Sequence, residues 1–262
     1  MKAAVFCMAK NEKEWLPVWV RHYLRQGFNP TDIYVLDHLS TDGSTSDLRQ
    51  CNRFLMTHEK LEDHQALLDT VKWFHTELLR KYDIVVFSES DEFICADPGK
   101  WANLIAYLSK CQHTCVELPF YQVVHDTLNA EPWIDFSKPI LSQRHLWVGP
   151  VKGKTLISKI PMDWIWGFHQ ATPQGTLDPD VRIIHGRWID REYQIFRLQS
   201  RLRAMQDAGD YPTVSANNRT TDVSFHFDEF DRVLHGRYQF PHDQRHGVMP
   251  TEIPPEWRSF VV

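Results

Sequence analysis

Residues 3–37, AAVFCMAKNEKEWLPVWVRHYLRQGFNPTDIYVLD, read as strand, helix and strand, and this reading decides the fold class. Ala3 to Met8 is a short apolar run with Val and Phe, the length and composition of a strand buried on both faces. Between Glu12 and Gln26 the residues Trp15, Trp19, Val20, Tyr23 and Leu24 fall at helical spacing, and Gly27 closes the segment. After the Asn29-Pro30 turn, Ile33 to Leu36 form a second buried strand that runs into the polar cluster Asp37-His38-Leu39-Ser40-Thr41-Asp42-Gly43-Ser44.

Outward from this unit the pattern repeats. Ala66 to Lys81 reads as a second helix, and Ile84 to Phe87 as a third buried strand that again ends in acids. Such β-α-β order implies a parallel sheet with right-handed crossovers, which binds ligands beyond the carboxyl ends of its strands. The loops at Asp37 and at Glu89 to Glu92 therefore share one edge of the sheet. The expected class is α/β, with a mostly parallel central sheet flanked by helices. Lys100 to Ser109 reads as a further helix, and Thr114 to Tyr121 and Val123-Val124 as strands. From about Glu131 the prolines at 132, 139, 150, 161, 173 and 179 predict irregular structure. A last helix is expected from Arg191 to Asp207, with Tyr193, Phe196, Leu198, Leu202 and Met205 on its apolar face. The domain reading is 1–208 for the α/β unit and 209–262 for a polar, loosely packed extension on or near the active site.

A net charge of -5 with scattered Lys and Arg argues against a protein built to grip nucleic-acid phosphates. Five cysteines without a C-x-x-C pair fit a reducing, cytoplasmic setting. The apolar start is too short for a signal peptide and no window offers a transmembrane segment, which leaves peripheral contact with the inner membrane face open.

The chemistry concentrates in Val85-Val86-Phe87-Ser88-Glu89-Ser90-Asp91-Glu92-Phe93-Ile94, where a buried strand delivers three carboxylates within four positions. Crowded carboxylates repel one another and resist burial, so a positive partner is required, and a divalent cation is the natural one. In an extended segment Glu89 and Asp91, at i and i+2, point to one side.

Met8-Ala9-Lys10-Asn11-Glu12, the Trp15 to Tyr23 segment, the Asp37 to Ser44 loop and the Glu89 to Phe93 acids together resemble the opening of family 2-like glycosyltransferases. The likeness is to the branch with a K-N-E start, a Y-D-x-x-S-x-D-G-[ST] loop and a D-x-D-E-F motif. It implies a GT-A fold, a nucleoside-diphosphate-sugar donor and Mn²⁺ or Mg²⁺. By this resemblance Lys10, Asn11 and Glu12 lie on the loop that holds the nucleotide and Asp37 meets the base or ribose; Ser90 and Arg187, close to these motifs, are further candidates for donor binding. Asp91 matches the metal-binding acid, and Glu89 stands where the family has Asp. His185, in Val181-Arg182-Ile183-Ile184-His185-Gly186-Arg187, is the candidate third metal ligand, with Gly186 in place of the family's aromatic. His169 matches an upstream family histidine, and Trp164 and Trp166 beside it are candidates for a sugar-stacking floor. Lys152, Lys154, Arg187 and Arg191 are candidates to neutralise a departing diphosphate.

The expected reaction is transfer of a sugar to a hydroxyl of a glycan or other acceptor, in surface glycan or polysaccharide synthesis. If the reaction inverts, a carboxylate deprotonates that hydroxyl, and Asp163 and Asp178 are the candidate bases; retention is the other outcome. Two alternatives stand beside it. A nucleotidyltransferase on a related sheet would normally carry a glycine-rich loop where Ala9-Lys10-Asn11-Glu12 has none, and a non-catalytic carbohydrate- or nucleotide-binding module would explain Glu89 and Gly186. The tail histidines His226, His235, His242 and His246 fit no tight ligand spacing.

Overall fold

The computed structural model describes residues 1–56, 64–207, 224–239 and 247–258. The chain opens with β1 (Ala3–Ala9), α1 (Trp15–Arg25), β2 (Ile33–Asp37), β3 (Asn52–Leu55) and α2 (His64–Leu79). It continues through β4 (Ile84–Phe87), β5 (Glu92–Ala96), α3 (Leu104–Leu108), β6 (Cys115–Val124) and β7 (Leu146–Ser158). Three two-residue strands, β8 (Asp163–Trp164), β9 (Ala171–Thr172) and β10 (Thr176–Leu177), lead to β11 (Val181–Trp188) and α4 (Arg191–Asp207). The last described elements are α5 (Ser224–Leu234), β12 (Thr251–Glu252) and α6 (Pro255–Arg258).

The α/β class expected from the sequence is the one observed. The main sheet has the order β3-β2-β1-β4-β7-β6-β11-β5, with β10 on β6 and β12 on β7. It is parallel from β3 to β4, then mixed: β7 runs antiparallel to β4 and β6, and β5 antiparallel to β11. The region read as irregular contains β7, the longest strand, and β11. Proline spacing misled here because Pro150 lies inside β7 at a break in its register with β6.

Helix α1 lies on the sheet through Trp15, Leu16, Trp19 and Tyr23, each fully buried. Burial of side chains this large contributes about 1.5–3 kcal/mol apiece, enough to fix α1 against the strands it joins. The described parts of the C-terminal segment are not loose: Phe230, Val233, Ile253 and Trp257 are buried in the same core. On α4 Leu198 is buried and Tyr193 packs on the core as expected, joined by Ile195 and Gln194, while Phe196 is exposed; the side chains of 202 and 205 lie outside the described residues. Among the described residues no helix is long and apolar enough to cross a membrane.

Strand β1 pairs with β2 on one side and β4 on the other, so the chain order reverses across β1. A reversal of this kind opens a crevice above the carboxyl ends of the two strands. The loop after β1 carries Lys10, Asn11 and Glu12, and the loop after β4 carries Glu89, Ser90 and Asp91.

Candidate active site

The K-N-E loop and the Asp37 loop are tied together. Lys10 Nζ donates to Leu39 O at 2.6 Å, Asn11 Oδ1 accepts from Thr41 N at 2.8 Å, and Lys13 N donates to Asp42 Oδ2 at 3.0 Å. Asn11 and Leu39 hold left-handed backbone, with φ of 54° and 56°. Non-glycine residues seldom adopt this conformation, and such strain concentrates at ligand-facing loops. Asp37 is fully buried and spends its oxygens within this loop: Oδ1 accepts from Ser40 N at 2.8 Å, and Oδ2 from Thr45 Oγ1 at 3.0 Å and Arg53 Nε at 2.8 Å. Burial pushes its carboxyl up, but the hydrogen bonds from Ser40, Arg53 and Thr45 outweigh it and hold it below the ordinary carboxylate value.

The acidic segment is a tight turn. Glu92 N donates to Glu89 O at 3.0 Å, which puts Ser90 and Asp91 at the corner. Helix α1 brackets this turn: Trp19 Nε1 and Tyr23 Oη both donate to Ser88 Oγ, at 2.8 and 2.9 Å, and Ile94 N donates to Tyr23 Oη at 3.2 Å. The extended arrangement expected for Glu89 and Asp91 is therefore not the one observed, and the two carboxylates take different partners. Glu89 Oε2 and Glu92 Oε1 both accept from Lys154 Nζ, at 2.7 and 2.5 Å. Asp91 Oδ2 accepts from Arg197 Nη1 at 2.5 Å, while Arg197 Nη2 donates to Glu12 Oε1 at 2.7 Å.

Among the described residues, Lys154 thus bridges Glu89 and Glu92, and Arg197 bridges Glu12 and Asp91. Burial raises the Glu92 carboxyl to about 7 against the pull of Lys154. Burial pushes Asp91 the same way, but Arg197 and His185 overcome it and hold Asp91 well below the ordinary carboxylate range. Lys154 is raised because the attraction of Glu89 and Glu92 exceeds the cost of burying its ammonium.

His185 arrives from the far side of the sheet. On β11 it stands directly opposite Glu92 of β5, and its Nε2 is 3.7 Å from Asp91 Oδ1. The Phe120 ring lies between two of the nominated histidines, with centroid separations of 5.1 Å to His185 and 6.3 Å to His169.

Several nominated residues are not brought to this cluster. Asp178 precedes β11 at the end where Val181 pairs with Ala96, opposite to the His185 end, and accepts from Tyr107 Oη at 2.8 Å. Four strand residues separate the two ends, roughly 13 Å. Asp163 is exposed on β8 and paired at 2.5 Å with Lys72 Nζ of α2. Arg187 is bound to Glu229 of α5 at 3.3 Å, and Arg191 to Glu192 at 3.1 Å. Lys152 is exposed on β7, whereas Ser90 is buried in the acidic turn itself, beside Asp91. Trp164 is core, packed on His75 and Phe87, and is no open stacking surface. Of the tail histidines, 242 and 246 lie outside the described residues, as does the side chain of 226, while His235 pairs with Asp231 of its own helix.

The residue that sequence reading missed is Arg197. Nothing in the order of α4 distinguishes it from the surface arginines around it. Only its place four residues after Tyr193, whose ring packs against Trp15, puts it on the face toward the crevice.

The resembled family binds its donor with a divalent ion, and two side chains of the cluster present atoms suited to one. Asp91 Oδ1 and His185 Nε2 are oxygen and imidazole donors facing each other, the two kinds of atom a divalent ion accepts. Magnesium-like ions commonly take one or two protein ligands and complete their shell with substrate phosphates and water. Among the described residues no third His, Cys, Asp or Glu joins them into a three-ligand group. Asp91 and His185 therefore fit as a two-ligand site completed by substrate, and Glu89 is held elsewhere by Lys154.

No family model matches the chain, and no curated protein matches it. Among solved structures it is similar to S. aureus TarS 1-349, at 14% identity over 77% of this chain and 66% of that one, with a TM-score of 0.42. It is also similar to the mannosyltransferase PcManGT from Pyrobaculum calidifontis in complex with GDP-Man and Mn²⁺, at 17% identity over 82% of this chain and 66% of that one, TM-score 0.41. A third likeness is to S. aureus TarS 1-349 in complex with UDP-GlcNAc, at 12% identity over 90% and 72% of the two chains, TM-score 0.38. The chain spans just under two thirds of the length of the first two.

Proposed function

We propose that this protein is a glycosyltransferase that takes a sugar from a nucleoside-diphosphate donor and passes it to an acceptor hydroxyl. One observation carries the reading most: the Glu12 loop and the Asp91 turn flank the crevice where strand order reverses across β1, and a charged cluster fills the space between them. A nucleotide bound at such a reversal has its diphosphate beyond the strand ends, next to both loops. The motif order of the family 2-like resemblance supports the same assignment.

In this reading Lys10, Asn11 and Glu12 shape the nucleotide side, stiffened by their bonds to the Asp37 loop. Asp91 and His185 would hold a divalent ion, which when bound neutralises charge developing on a departing diphosphate. Lys154 holds Glu89 and Glu92, while Asp91, bound through Oδ2 to Arg197, turns Oδ1 toward His185. Phe120 sets the plane of His185 by ring contact.

The reading is tested by following sugar release from a panel of nucleotide sugars with and without Mn²⁺, in wild type and Asp91→Ala. Loss of a main charge-stabilising group is expected to slow turnover by about 10²–10³-fold. A folded Asp91→Ala protein with wild-type turnover would remove the proposal. Donor binding without sugar release in wild type would favour the non-catalytic module, and pyrophosphate release from a nucleoside triphosphate the nucleotidyltransferase.

A further inference from the structure

Arg197 occupies an unusual place. It reaches from α4 to bridge two loops that share no secondary structure, through Glu12 after β1 and Asp91 after β4. All three side chains are nearly buried, with 11%, 5% and 13% exposure for Arg197, Glu12 and Asp91. The guanidinium thus sits between the two loops that border the crevice, where a diphosphate and its cation would lie if the transferase reading holds.

The cluster is also left incomplete. Among the described residues, Arg197 Nε, His185 Nδ1 and Glu92 Oε2 are buried with no hydrogen-bond partner. Buried polar groups are usually satisfied, and three orphans in one charged cluster mark a place where a polar ligand completes the bonding. Asp91 meanwhile divides its oxygens, Oδ2 to Arg197 and Oδ1 toward His185. A divalent ion taken up at Oδ1 would stand beside a full positive charge already bound to the same carboxylate. Repulsion in so enclosed a site is strong, and an anion placed between the two cations relieves it.

We propose that Arg197 is a built-in cation that competes with the divalent ion for Asp91, and that on loading it turns from Asp91 to the diphosphate. This inference rests on the proposed nucleotide-sugar site and adds a role for Arg197 within it. Metal and diphosphate then bind as a coupled pair, because each relieves the cost of the other. Arg197 is a positioning residue for the empty site and a ligand-contacting residue for the loaded one.

The test uses the full chain, Mn²⁺ alone read by electron paramagnetic resonance, and UDP or GDP at saturating Mn²⁺ read by calorimetry. Arg197→Gln is expected to bind Mn²⁺ alone about tenfold tighter than wild type, yet to bind the nucleoside diphosphate about tenfold more weakly. Opposite shifts are the signature, since a merely structural role would weaken both. If Arg197→Gln does not fold, the double change Arg197→Gln with Glu12→Gln removes one of the two carboxylates that Arg197 bridges and carries the same expectation. Asp91→Asn should erase the gain in Mn²⁺ binding. Unchanged or weaker Mn²⁺ binding in a folded Arg197 variant overturns the proposal, as does a gain that survives Asp91→Asn. If neither diphosphate binds wild type while the Mn²⁺ gain is present, the nucleotide-sugar reading falls and the competition at Asp91 stands.

Discussion

Gly186 lies against Trp15 so closely that a Cβ built on it would stand 2.2 Å from Trp15 Cη2. Trp15 is fully buried at the start of α1, and Gly186 N donates to Asp91 O at 2.9 Å. The departure of Gly186 from the family's aromatic therefore has a local cause: the indole fills the space a side chain would need. Gly186→Ala should cost about 1–3 kcal/mol by overpacking and disturb His185 next to it. Thermal unfolding measures the loss, and Trp15→Leu in the same chain should recover part of it. An alanine variant as stable as wild type would mean that the indole moves aside freely.

His75 should make the protein acid-sensitive. It is buried between Ser158 and Trp164, and because Ser158 Oγ donates to Ile160 O, His75 Nε2–H is the donor to Ser158. Burial lowers its value from 6.5 to about 4, so between those pH values the unfolded chain takes a proton that the folded chain refuses. Stability is complete above pH 6.5 and falls as the pH drops toward 4, by about 3 kcal/mol if the shift is fully expressed. Chemical denaturation across pH 4–7 reads the slope, and His75→Gln should flatten it. Parallel slopes for the two proteins would rule His75 out as the source.

Lys154 is the single cation shared by Glu89 and Glu92, and Glu92 is buried. Replacing Lys154 by Met strands that carboxylate and should destabilise the fold by about 3–5 kcal/mol. The double change Lys154→Met with Glu92→Gln should regain most of the loss, since the buried carboxylate is then gone and the Glu89 left behind is half exposed to water. Equal stability of the single and double variants in urea would show that Glu92 does not depend on Lys154.

Asp37 acts on its own loop. Replacing it by Asn removes charge-assisted bonds from Ser40, Thr45 and Arg53 and should cost about 1–3 kcal/mol. Hydrogen exchange should quicken at the Ser40 amide and stay unchanged at the β4 amides. Unaltered exchange at Ser40 would place the loop's stability elsewhere.

Much of the first half of the chain was legible. The strands at 3–8, 33–36 and 84–87 appear as β1, β2 and β4, because strands buried on both faces are written as continuous apolar runs. The helix expected at 191–207 is α4, with Leu198 and Tyr193 on the core side as expected, but Phe196 faces outward and Gln194 and Ile195 are buried in its stead. Periodicity gives the helix but leaves its rotation to the partners it meets. Strand β7 was not legible, since its alternation is interrupted by Gly149, Pro150 and Gly153. Gly153 is needed where the strand crosses β6, as a Cβ there would lie 1.8 Å from Leu118 O.

By itself the sequence determined the β-α-β order, the edge on which the acids gather and the presence of a positive partner for them. The identity of that partner was decided only by tertiary structure. Charge pairing depends on which side chains converge through space, and Arg197 meets Asp91 across 106 positions of chain and Lys154 meets Glu92 across 62. No local pattern records such distances, because the energy that brings the groups together comes from packing the elements that carry them.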